Sequence, residues 1–107
     1  MLLVATIHVR REALETFKIF EFEAARIMEK HGGRLERAVV LRGRHDEPHR
    51  ELHIVYFPSP DAYEAYRVSP ELATFMHLRE TSVLKTEIQY GEDEPDYHVA
   101  PPSHPDL

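Results

Sequence analysis

The chain has 107 residues, enough for one domain of common size. At 42% hydrophobic and 30% charged it can bury a core of modest extent. A net charge of -6 argues against general nucleic-acid binding, which needs a basic face, and the lack of cysteine excludes disulfides, thiol catalysis and Cys-ligated metals.

No apolar run approaches ~20 residues, so no membrane-spanning helix is expected. The opening LLVATIHV, residues 2–9, is rich in strand formers and reads as a first strand. No basic segment precedes it and no small-residue cleavage site follows, so it is not read as a signal peptide. The cytoplasm is the expected location. Residues 11–31 carry a helical stripe of Ala13, Phe17, Phe20, Ala24, Ile27, Met28 and His31. Gly32 or Gly33 then supplies the left-handed cap. Residues 35–41 form a second strand, RGRHDEPH a turn-forming linker, and residues 51–57 a third strand. SPDAYEAY and SPELATFMHLRE each place Ser to cap, Pro at the first helical position and an acid in the first turn. They predict one helix in two pieces, broken near Val68. Residues 83–90 form the fourth strand. The last stretch, GEDEPDYHVAPPSHPDL, holds four prolines and five acids and reads as a tail. The expected division is a domain over 1–92 and a Pro-rich acidic tail over 93–107. The order β-α-β-β-α-β is the ferredoxin-like unit, α+β, with two helices covering one face of a four-stranded antiparallel sheet.

The strand faces add a partner. Leu3, Ala5, Ile7 and Val9 share one face of the first strand, and Val4, Thr6 and His8 the other. In the third strand Leu52, Ile54 and Tyr56 oppose His53, Val55 and Phe57. Both faces of the central strands are therefore apolar, while the helices suffice for one. A second copy packed on the other face is the economical solution, and a homodimer is expected.

HIVYFPSPDAYEAYRVSPELATF, residues 53–75, resembles the antibiotic-biosynthesis-monooxygenase-like branch of the dimeric α/β-barrel superfamily. In that family the third strand ends in an aromatic and turns into a helix of the form Phe-Glu-Ala-His-x-x-Ser-Pro. The corresponding stretch here is Tyr63-Glu64-Ala65-Tyr66-Arg67-Val68-Ser69-Pro70. HGGR at 31–34, FPS at 57–59 and SPE with the later LR at 69–79 extend the likeness across residues 2–92. The family's frequent helix histidine is Tyr66 here, and a strand carboxylate common in the family is Val55. Its cofactor-free oxygenases use Asn and Trp, and its haem-degrading members Asn, His and Trp. This chain has neither Asn nor Trp.

His45, His49 and His53 are spaced i, i+4 and i+8, which on a helix would gather three imidazoles for zinc. Pro48 and the strand pattern break any such helix, so no metal site is expected. On a strand, His49, Glu51 and His53 share a face instead, and His53 is a candidate cavity residue with a proton to exchange. His8, on the neighbouring strand, joins it only if the parities agree. His77 is a candidate acid–base group or haem ligand, or else closes a helix–sheet contact. Tyr63 and Tyr66 share a helix face, and Tyr66 either hydrogen-bonds a ligand or is an ordinary core aromatic. Arg67 and Arg79 either pair with a carboxylate ligand or lie on solvated faces. Ile19 and Phe22, opposite the core stripe, are candidates for contact in a higher oligomer.

The function that the resemblance and these residues imply is a homodimeric small-molecule-binding protein without cofactor. It would be a cofactor-independent monooxygenase or isomerase acting on a small aromatic or polyketide-like substrate. The alternatives are a non-catalytic binding or regulatory module on the same scaffold, or haem handling. No complete set of nucleophile, base and orienting group is visible. No nucleic-acid or membrane partner is expected.

Overall fold

In the computed structural model, which describes residues 1–97, β1 (Leu2–Val9) leads through a 3-10 turn at Arg11–Ala13 into α1 (Leu14–Lys30). β2 (Arg34–Leu41) and β3 (His49–Tyr56) follow. Then come α2 (Pro60–Arg67), α3 (Pro70–Ala73), α4 (Met76–Ser82), β4 (Val83–Gly91) and a last 3-10 turn at Pro95–Tyr97. The strands form one antiparallel sheet in the order β2-β3-β1-β4. This is the ferredoxin-like α+β architecture that the order of elements predicts. Most of the predicted tail, residues 98–107, lies outside the described residues. Among the described residues no helix is long and apolar enough to cross a membrane.

The helix stops are chemical. α1 ends where Gly32 takes φ 79, with Gly32 N–H donating to the Glu29 carbonyl and Gly33 N–H to that of Met28. Ser59 and Ser69 accept from the Ala62 and Leu72 amides, and Pro60 and Pro70 occupy the first turns they cap. The second helical region is in three pieces rather than two. The segment after Ser69 breaks again at Phe75, whose amide reaches back only three residues to the Leu72 carbonyl. That break sets Leu72, Phe75, Met76 and Leu78 against Phe20, Ala24 and Ile27 of α1. β3 begins two residues earlier than its apolar pattern suggests, because His49 still pairs with Val9 of β1.

The register decides what faces what. Leu3, Ala5, Ile7 and Val9 are buried beneath the helices together with His53, Val55 and Phe57. Val4 pairs with Ile54, Thr6 with Leu52, and Leu52 with Val39, so these side chains lie together on the other face, partly exposed. Arg34 covers part of that face, its guanidinium 4.3 Å above the Tyr56 ring. Ile19 and Phe22 project from α1 into solvent, 57% and 80% exposed.

Gly33 joins the α1 cap to the core. A Cβ there would lie 2.6 Å from the Phe57 ring and 2.8 Å from Met28 Cγ. Phe57 is fully buried and cannot retreat. Gly33→Ala should therefore lower stability by about 1–3 kcal/mol, an overpacking cost. A urea titration reads it as a lower midpoint at unchanged slope.

Candidate active site

Between the covered face of the sheet and the four helices lies a cavity of about 370 Å3. Leu3, Ala5, Ile7 and Val55 form its floor, and Phe20, Ala24, Met28 and Met76 its apolar walls. Seven groups interrupt this lining with polar atoms: Glu21 of α1, His53 of β3, Tyr63, Tyr66 and Arg67 of α2, Arg79 of α4 and Thr86 of β4. An apolar space with a few converging polar groups is the usual make-up of a small-molecule site.

The polar groups form a chain. His49, Glu51 and His53 alternate along β3 and so point the same way. Glu51 Oε2 lies 2.7 Å from His49 Nε2, and Glu51 Oε1 lies 2.9 Å from His53 Nε2. His53 Nδ1 faces Glu21 Oε2 at 3.6 Å. Burial pushes the Glu51 carboxyl up, but hydrogen bonds from the His53 and His49 imidazoles more than offset it and hold the group below the usual carboxylate range. An ionised Glu51 only accepts, so Nε2 of His53 carries the proton and Nδ1 is left as an acceptor on the Glu21 side. His53 is 4% exposed and its ring lies 6.5 Å from that of Phe17, which fixes it in place.

Burial raises Glu21 above the ordinary carboxylate range, with Glu51 adding to the rise and His53 and Arg79 opposing it. Burial likewise raises the Tyr66 hydroxyl, helped by Glu21 and Tyr63, so it remains a proton donor. The Tyr63 hydroxyl is raised by the same cause. Both rings pack on Phe57, at 5.3 Å for Tyr63 and 5.4 Å for Tyr66. Among the described residues the Tyr66 hydroxyl has no hydrogen-bond partner, so it is free for a guest. The site can thus accept a proton at His53 and donate one from Tyr66 within an apolar enclosure.

No protein-family model matches the sequence, and no curated protein matches it. Solved structures do match. SnoaB, a cofactor-independent oxygenase from Streptomyces nogalater, aligns with a TM-score of 0.62 at 15% identity, over 87% of this chain and 93% of that one. A protein described as an antibiotic biosynthesis monooxygenase gives 0.65 at 12% identity, over 89% of this chain and 100% of its own. An uncharacterized NIPSNAP domain protein from Burkholderia xenovorans gives 0.67 at 14% identity, over 94% and 99%. The chain has the antibiotic-biosynthesis-monooxygenase-like fold. At these identities the likeness shows the fold alone.

Within this fold the sequence candidates separate. His53, Tyr63 and Tyr66 line the cavity. His8 does not join them: β1 pairs Ala5 with His53 and His8 with Arg50, which puts His8 on the opposite face, 3.0 Å from Glu87 Oε1. His77 is exposed on α4, outside the cavity that its neighbour Met76 lines. His45 is exposed in the linker, so the three evenly spaced histidines share no helix face. Among the described residues no group of three or more His, Asp or Glu side chains is arranged to hold a metal ion. Arg67 pairs with Glu64 at 3.1 Å and stands 5.8 Å over the Tyr63 ring. Glu21 carries a sequence signal of its own. It lies four residues after Phe17 and three before Ala24, an acid inside a core stripe.

Glu21 gives a pH signature. Its folded-state pKa is raised, so its contribution to stability is whole below the unfolded value and is lost as pH rises through the folded one. Glu21→Gln removes that loss. Its melting temperature should gain on the wild type as pH rises above the ordinary carboxylate value of 4.5, and level off once pH passes the raised folded-state value. A difference that stays flat as pH rises would mean that Glu21 is not held in its raised state.

Proposed function

We propose that the protein is a homodimer that binds a small, flat phenolic or polyketide-like molecule and withdraws a proton from it at His53. This is the opening step of cofactor-independent oxygenation or isomerisation. One observation carries the reading: a buried imidazole, oriented by a carboxylate at Nε2, presents Nδ1 beside an apolar cavity. That is a base with its orienting group. A ring system seated on Leu3, Ala5 and Val55 would bring its hydroxyl toward Nδ1, and the Tyr66 hydroxyl would donate to the oxygen as charge develops there. The anion so formed, delocalised over an electron-rich ring, is the species that dioxygen attacks in an oxygenation. Reprotonation at a second atom gives an isomerisation. That SnoaB, of the same fold, is a cofactor-independent oxygenase supports the assignment.

A second copy covers the open face of the sheet. Val4, Val39, Leu41, Leu52 and Ile54 form an apolar stripe there, with Arg34, Arg37, Lys85 and Glu87 around it. Light scattering should give about twice the 12.5 kDa chain mass, and Ile54→Asp should return it to one chain while the cavity, on the other face, keeps its ligand. A folded wild-type monomer at micromolar concentration would end the dimer reading.

The proton-acceptor role is tested with nitrophenol, whose phenolate is coloured. An apolar cavity alone raises a bound phenol's pKa by desolvation. With His53 as acceptor it should fall below that of the free phenol, and His53→Gln or Glu51→Gln should raise it by about one unit or more. If the bound phenol titrates high and neither variant moves it, the protein is a binding module without base chemistry.

A further inference from the structure

We infer that the molecule taken up by the cavity carries a carboxylate, and that Arg79 receives it. The inference rests on the cavity reading above and narrows its ligand to hydroxylated aromatic acids.

Arg79 reaches from α4 across to β4, where its Nη2 donates to Thr86 Oγ1 at 2.6 Å; both residues line the cavity. Among the described residues this is its one hydrogen bond, though a guanidinium has five N–H groups. It forms no ion pair there, while Arg26, Arg34, Arg44, Arg50 and Arg67 each do. Its free N–H groups are not sealed in protein: the one buried, unpartnered polar side-chain atom among the described residues is Nε of Arg50. A planar cation is thus tethered at one corner, with its remaining donors open beside an apolar space. That geometry matches a carboxylate, which takes two parallel N–H bonds from one guanidinium.

The other charged groups around the cavity do not occupy this cation. Arg67 of α2 is paired with Glu64. Glu21 of α1 lines the same cavity, but it makes no ion pair with Arg79 among the described residues, and its burial favours the neutral form. A ligand carboxylate on Arg79 would reinforce that neutral form by adding negative charge nearby. β1 lies between β3 and β4, and it pairs Ala5 with His53 and Ile7 with Thr86, so the backbones of His53 and Thr86 stand roughly 12 Å apart on the sheet. A one- or two-ring aromatic with an acidic hydroxyl at one end and a carboxylate at the other spans the gap between these groups.

Three probes separate this inference from the reading beneath it: naphthol, hydroxynaphthoate and the methyl ester of hydroxynaphthoate, each titrated into the full chain by calorimetry. The wild type should bind the acid about ten-fold or more tighter than its ester, the worth of a charge-assisted bidentate contact. Arg79→Gln should cut that preference to about two-fold or less, while ester affinity changes by less than about two-fold. Arg79→Lys keeps the charge but loses the fork, and should fall between them. If naphthol and ester bind but the acid gains nothing, or if its gain survives Arg79→Gln, the carboxylate inference is overturned and the cavity reading stands. If none of the three binds, the cavity reading is overturned and this inference falls with it. The wild-type preference needs no variant, so a misfolded substitution leaves the test intact.

Discussion

The Glu51 carboxylate lies between two imidazoles on the covered face of β3, within 2.9 Å of His53 and 2.7 Å of His49. A carboxylate drawn away from water costs several kcal/mol unless its lone pairs are satisfied. Here both oxygens are, and the group stays ionised. The fixed charge selects the tautomer of His53, fixes its ring and turns Nδ1 toward α1. Glu21, on the far side of that ring, then sits in a site already holding one negative charge and rises for that reason as well as for burial. Two carboxyls in one enclosure are thereby driven apart, one below and one above the ordinary range, which is how environment assigns different proton roles to like groups.

The fold was largely legible because its signals are local. Ser-Pro pairs, the His-Gly-Gly stop and the apolar strands are each readable within a few residues, and their order suffices for the architecture. The parity of His8 against His53 was not, since it is set by pairing between strands some 45 residues apart in the chain, where a slip of one residue turns every side chain to the other face. The second break at Phe75 was hidden for a related reason: Leu72 and Phe75 turn toward partners on α1, and no cap residue marks the place. Of the site, His53, Tyr63 and Tyr66 could be named from spacing and resemblance. Glu21 interrupts the core stripe of α1, and Arg79 is a candidate carboxylate partner in the sequence, but only their neighbours in the fold place both at the cavity.

The matched proteins carry the same scaffold at 12–15% identity. What such a scaffold fixes is the position of a space between sheet and helices; what fills the wall is left to each sequence. In this chain an imidazole–carboxylate chain and an open guanidinium line that space. Any chemistry performed here therefore belongs to these side chains and not to the architecture.

The roof and the floor of the cavity are held by different means. The floor is a sheet whose central strand is paired on both sides, and His53 stands on it. The roof is α2, α3 and α4, of eight, four and seven residues, each too short to persist without tertiary contacts. α2 has no fully buried residue of its own, and α3 has Leu72 alone. Such segments open at lower free energy than the sheet beneath them. Adaptability and precision are thus assigned to separate layers: the roof can reshape around guests of different outline, while the proton-accepting nitrogen keeps its place.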